Sequence, residues 1–427
     1  MSHPLPAPDA QSLNEDPRVA PANARPIPRV TIEAFCDDEG FLTAFAAASA
    51  DRRLSKASTS TAAGGLNAAL RHYVQHPTPD LIVLDCELPG EQLLVSLDAL
   101  AEHCDAGTKV VVCGRYNDVL LYRELLKRGV SEYLVTPVTP HQILESISNL
   151  YNDPNAAPIG NVVAFVGAKG GVGSSTICHN TAWCLAEVMR TNVVIADLDL
   201  AFGTTGLDFN QDPVQGIADA LSAPDRFDQQ LLDRLLTKCT PNLSIFAAPV
   251  MLDREWDLDA DACQTVLDVV RRSVPFVLVD LPHLWTTWSK RILQQADEIV
   301  ITAEPDLANL RNVKNLFDLL KQSRPNDALP HVVFNKAGMP KRPELPIKDF
   351  CANIGIKATS VIEFDAEGFG QAANNGQMIE EVSQKSKSVA QFREIAHLIS
   401  HRKEVKAPQP RSSSPVASLL EKLKLNF

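Results

Sequence analysis

Short β-branched runs alternate with amphipathic stretches along most of the chain. From Arg29 the runs are Val30–Ala34, Leu81–Leu84, Lys109–Val112 and Glu132–Val135. Runs of this length bounded by polar and turn-forming residues predict strands, and the stretches between them predict helices. A second series follows at Val162–Val166, Val193–Ala196, Leu243–Phe246, Phe276–Val279, Glu298–Thr302 and His331–Phe334. Strands that are apolar throughout, separated by helices, are buried on both faces, as in parallel sheets. The expected fold is α/β, with two doubly wound domains in tandem.

Between these series the composition changes. Residues 1–28 are rich in proline and poor in large apolar side chains, which predicts a disordered tail. The first domain is expected over 29–152, a Pro/Asn/Gly-containing linker over 153–160 and the second domain over 161–402. Residues 403–427 read as a spacer followed by a short amphipathic helix, with Val416, Leu419, Leu420 and Leu423 at helical spacing beside Lys422 and Lys424. That helix suits a peripheral membrane contact, a partner's groove, or a return onto its own domain, and the pattern leaves the three open.

Composition narrows the class. No apolar run approaches the roughly 18 residues that cross a bilayer, and the N-terminus lacks the charged-then-apolar order of a secretory signal, so a cytoplasmic protein is expected. The net charge of -12 disfavours nonspecific attraction to nucleic acid. The nine cysteines include no C-x-x-C pair and no histidine at zinc-ligand spacing, which points to ordinary reduced thiols.

The chemistry concentrates in "VVAFVGAKGGVGSSTICHNTAWCLA", a strand, a glycine-rich turn and a helix. Such a turn aims backbone N–H groups and the positive end of the helix dipole at one point, which suits a phosphate chain. The stretch resembles the deviant-loop ATPases of the ParA/MinD group, whose loops read K-G-G-x-G-K-[ST]-T, and so implies a ParA/MinD-like P-loop NTPase fold with ATP and Mg2+ as cofactors. On that resemblance Lys169, Gly170, Gly171, Val172, Gly173, Ser174, Ser175 and Thr176 form the nucleotide loop. Lys169 would reach across a homodimer to the partner's phosphates, and Ser175 would ligate magnesium. Asp197 and Asp199, in "VVIADLDLAFG", would lie by the magnesium and position the attacking water, respectively. Asp280 ends the apolar run "FVLVD" and matches the Walker B aspartate; Asn335 and Lys336, in "HVVFNKAG", match residues that contact the adenine. Lys169 and Asp199 are thus the catalytic candidates, and Ser175, Asp197 and Asp280 the metal candidates. The chain departs from the group at Ala168, where many relatives have glycine, and at Ser174, where the second lysine belongs. A hydroxyl donates a hydrogen bond but brings no positive charge to a triphosphate. Hydrolysis is therefore expected to be slow at best, with the partner's Lys169 as the chief loop cation.

The front domain resembles a response-regulator receiver of flavodoxin-like fold. "PDLIVLDCELPG" places Asp85 as a possible phosphoacceptor, and Asp37 and Asp38 match the receiver's acidic pair. Cys113-Gly114 stands where receivers carry a Ser or Thr, and Thr136 where they carry the lysine that offsets phosphoryl charge. Both a silent, receiver-shaped interaction module and a phosphorylated switch stay open, the first favoured by the missing lysine.

A degenerate receiver joined to such an ATPase, with the marks "GAKGGVGSST", "HNTAW" and "AANNGQMIEEV", resembles the CpaE/TadZ family of tight-adherence (Flp) pilus assembly. The resemblance implies a dimeric factor at a cell pole or peripheral to the inner membrane, working with the pilus secretion ATPase and inner-membrane platform proteins and with no specific nucleic acid. Two alternatives share most of these residues: a nucleotide-independent polar scaffold and a chromosome- or plasmid-partitioning ATPase.

Overall fold

The computed structural model describes residues 27–105, 107–151, 159–249 and 257–401. The first sheet contains β1 (Thr31–Cys36), β2 (Ser58–Ala63), β3 (Leu81–Cys86), β4 (Lys109–Gly114) and β5 (Glu132–Val135), in the order β2-β1-β3-β4-β5. All its pairings are parallel. The second contains β6 (Asn161–Gly167), β7 (Val193–Asp197), β8 (Thr237–Lys238), β9 (Leu243–Phe246), β10 (Phe276–Asp280), β11 (Glu298–Ala303), β12 (His331–Ala337) and β13 (Ser360–Glu363). Its order is β13-β12-β11-β6-β10-β7-β9-β8, parallel except for the β8–β9 pair.

Period-two alternation explains why both faces of each central strand are apolar. In β6, Val162, Ala164 and Val166 enter one core while Val163 and Phe165 enter the other; in β10, Val277 and Val279 oppose Phe276 and Leu278. Helices cover both faces, so a strand with no polar side is the one that fits. The first sheet repeats the scheme, with Val83 on one face and Ile82 and Leu84 on the other.

Three strands differ from the pattern expected from sequence. β2, with the sequence Ser-Thr-Ser-Thr-Ala-Ala, is mostly exposed at an edge; it is recruited by backbone pairing to β1 without an apolar face. β8 and β13 are short edge strands. At the N-terminus, Ile27, read from sequence as tail, is 2% exposed and donates its N–H to the Arg53 carbonyl at 2.9 Å. The amphipathic stretch at 416–423 lies outside the described residues.

β6 runs up the middle of the second sheet with β11 on one side and β10 on the other. Its C-terminal end opens at a point where successive crossovers leave in opposite directions, the crevice in which α/β sheets receive ligands.

Candidate nucleotide site

The loop leaves β6 at Gly167 and enters the helix Ser174–Trp183 through Gly173. Gly171 and Gly173 take φ values of 79° and 87°, the left-handed region that side chains avoid. At Gly173 a Cβ would also stand 2.5 Å from Asn335 Nδ2. The loop is braced from outside. Ala168 donates its N–H to the Thr302 carbonyl at 2.8 Å and accepts from Asn312 Nδ2 at 2.7 Å. Asn335 Nδ2 donates to the Val172 carbonyl at 2.8 Å, and Lys336 Nζ donates to the Gly171 carbonyl at 2.5 Å. Lys336 is also paired with Glu304 at 3.1 Å, which in turn holds Arg342 at 2.6 Å. With the loop's outward carbonyls bound in this way, the left-handed glycines and the helix start define its inner face.

Below the loop lie the carboxylates. Asp197, at the end of β7, is fully buried; it accepts from Thr205 Oγ1 at 2.7 Å and from the Asp199 N–H at 3.0 Å. Burial raises its pKa, opposed by the Thr205 hydroxyl and by His179. Asp280, in register beside Asp197 in the β10–β7 pair, is pushed well above the usual carboxylate range, first by burial and then by Asp197, against the pull of His179 and the Ser175 hydroxyl. Asp199 is half-buried and accepts the Phe202 N–H at 3.1 Å.

Two buried polar atoms here have no partner: Asp280 Oδ1 and Ser174 Oγ. Buried polar atoms are nearly always satisfied, so this pair beneath the glycine-rich loop is suited to engage a metal ion or phosphate. A carboxylate and two serine hydroxyls are oxygen donors of the kind that magnesium takes. The residues therefore fit a Mg2+–nucleotide.

Sequence reasoning gave no role to His179. It lies on the loop helix, fully buried, with Nδ1 2.8 Å from Asp208 Oδ2, Nε2 3.1 Å from Thr205 Oγ1 and 3.6 Å from Asp280 Oδ2. Burial alone would lower its pKa, but Asp208, Asp280 and Asp197 together raise it. A polar residue within the run between the loop and the next apolar turn was the available signal, and only the fold supplies its three partners. His283, after β10, was missed as well; its Nδ1 donates to the Gly167 carbonyl at 3.0 Å and ties the following segment to the loop.

Lys169 is half exposed and sits 3.7 Å from Asp306 Oδ2, the residue that caps the helix Leu307–Ser323. Ser175, Asp197, Asp199 and Asp280 are thus brought together, while Thr176 follows on the helix and accepts from Asn180 Nδ2 through its carbonyl. Asn335 and Lys336 contact the loop itself.

Asp37, Asp38 and Asp85 occupy the matching edge of the first sheet. Asp85 Oδ2 accepts the N–H groups of Asp37 at 3.0 Å and Asp38 at 2.7 Å, while Asp38 caps the helix Glu39–Ser49 by accepting from Phe41 N–H at 2.9 Å. The carboxylates of Asp85 and Asp38 thus accept backbone amides, and no group of three or more His, Cys, Asp or Glu is placed to hold a metal ion among the described residues. Burial raises the Asp85 pKa against those N–H bonds.

Comparison with known proteins bears on the family and the fold. A family model described as an AAA domain matches residues 160–329. The pilus assembly protein CpaE of Caulobacter crescentus is 47% identical over a match covering 30% of this chain and 98% of that one, with a TM-score of 0.30. The chain belongs to the CpaE family. The CpaE match falls on an N-terminal portion of the chain, and the second unit has its own relatives. The septum site-determining protein MinD of Helicobacter pylori is 26% identical over 193 residues, 43% of this chain and 68% of the relative. MinD of Pyrococcus horikoshii, solved with Mg-ADP, is 19% identical and covers 59% of this chain and 100% of its own; its TM-score of 0.51 marks a shared fold. This CpaE-family chain thus joins a front unit similar to CpaE to a ParA/MinD-type fold.

Proposed function

We propose that the protein is an ATP- and magnesium-binding localisation and assembly factor for tight-adherence pili, and that nucleotide holds it as a homodimer. The observation that carries the reading is the pair of orphaned buried atoms, Ser174 Oγ and Asp280 Oδ1, beneath a loop whose glycines already have phosphate-binding form. Magnesium, when bound, would neutralise phosphate charge, with Ser175, Asp197 and Asp280 as its side of the site. Asp199 would orient water, and the N–H groups of the loop would bind phosphate oxygens.

Ser174 leaves one subunit's loop without its own second cation. Lys169 is paired with the partly exposed carboxylate of Asp306 at 3.7 Å, a weak pairing that it can exchange for a partner's triphosphate. Around the crevice Phe202, Leu207, Leu284, Trp285 and Leu307 are all more than half exposed. They follow β7, β10 and β11, so this apolar rim flanks the loop and suits a second copy. The bound state rather than the turnover rate then carries the signal. In this reading the front unit is a silent docking module, and pole localisation, the secretion ATPase, the platform proteins and any membrane contact by residues 403–427 belong to the same proposal. No helix among the described residues is long and apolar enough to cross a membrane.

Calorimetry with Mg-ATP tests the site. Wild type is expected to bind, and Asp199→Ala to bind equally while losing whatever turnover wild type has. Absence of heat in wild type would favour the nucleotide-independent scaffold; tight, salt-dependent DNA binding would favour a partitioning ATPase.

A further inference from the structure

The turn Asp51–Arg52–Arg53 follows the helix Glu39–Ser49 and precedes β2, so it lies at the N-terminal edge of the first sheet. Asp297 and Asp327 stand before β11 and β12, at the N-terminal edge of the second. Three ion pairs here are internal to one unit or the other: Arg53–Asp51 at 3.0 Å, Arg324–Asp327 at 3.0 Å and Arg271–Asp297 at 2.7 Å. Arg52 is a further cation, and the hydrogen bonds of its guanidinium all cross to the second unit. Its Nε donates to Asp327 Oδ2 at 2.9 Å, Nη2 to Asp297 Oδ1 at 3.2 Å and Nη1 to the Gln295 carbonyl at 2.8 Å. Arg53 also reaches Asp327, and Asn326 Nδ2 donates back to the Ala47 carbonyl at 3.3 Å and Asp51 Oδ2 at 3.2 Å. The Arg52 side chain is 9% exposed and that of Asp327 2%, so the junction excludes most water.

A planar fork received by two carboxylates and a carbonyl fixes direction as well as distance, which an apolar contact does not. We infer that this Arg52 socket, rather than the connecting stretch 152–158, joins the two units foot to foot as one rigid body. Both ligand-bearing edges then point outward: the end of β3 with Asp85 at one extremity, the end of β6 with the nucleotide loop at the other. A second copy seated on the loop face leaves each front unit displayed at a distal end, with no rearrangement needed to expose it. The inference concerns the junction alone and holds whether or not nucleotide binds.

Cleavage of the full-length protein at a protease site inserted between Asn155 and Ala156, followed by size-exclusion chromatography, tests it. The two wild-type halves are expected to co-elute at micromolar concentration and in moderate salt. Arg52→Ala should weaken their association by about 100-fold, and Arg52→Lys, which keeps the charge but not the fork, by about 10-fold. Circular dichroism checks that each variant is folded. Separation of the wild-type halves upon cutting would overturn the inference with no variant needed, as would unchanged association in folded Arg52→Ala.

Discussion

Gly173 shows how narrow the tolerance is at a single residue. Its φ of 87° and the Asn335 amide 2.5 Å from the position of a Cβ both oppose any side chain. Gly173→Ala is expected to cost about 1–2 kcal/mol in chemical denaturation and to displace Asn335 from the Val172 carbonyl, weakening nucleotide binding beyond detection by calorimetry. Wild-type stability and affinity in that variant would mean that the loop is not held in the form described. The same scale accounts for Ser174: its hydroxyl cannot replace an ammonium, yet it is small enough to leave the crevice open.

At the level of elements, His179 connects the loop helix to Asp208 and Thr205 of the short helix Thr205–Asp208 and, through Asp280, to β10. His179→Ala removes a fully buried group and leaves Asp208 and Thr205 without a partner they now have; a loss of about 2–4 kcal/mol is expected in urea unfolding. A change below about 0.5 kcal/mol would show that these contacts add nothing to stability. The central strands were legible because helices on both faces demand unbroken apolar runs, as in Phe276–Val279. β2 was not, because an exposed edge strand is specified by its neighbour's backbone, and Ser-Thr-Ser-Thr carries no burial signal. The loop and its aspartates were legible as a motif. His179 was not, since its partners come from residues 26 to 29 positions away and from β10.

Across the whole molecule the interunit joint depends on residues 274 to 275 positions apart, beyond the reach of any periodicity. It also makes a pH prediction. Arg52, Arg324 and Arg53 overcome the effect of burial and lower the Asp327 pKa to about 2, with Asp51 and Asp297 the neighbouring anions. The unfolded value is about 3.9, so the folded pKa is depressed: the contribution is present above about pH 4 and is lost as pH falls through about 2. Urea midpoints should therefore drop between pH 4.5 and 2.5 more steeply for wild type than for Asp327→Asn, the difference amounting to about 2 kcal/mol. Parallel profiles would refute that assignment.

Sedimentation velocity of wild type and Lys169→Ala, each with and without Mg-ATP, addresses the nucleotide-held dimer most directly. Because Lys169 is half exposed and its pairing with Asp306 is weak, the substitution should leave folding intact, with thermal stability within about 0.5 kcal/mol of wild type. The account predicts a wild-type dimer only with Mg-ATP and a Lys169→Ala monomer in both conditions. A wild-type monomer at saturating Mg-ATP, or a dimer indifferent to Lys169, would contradict it.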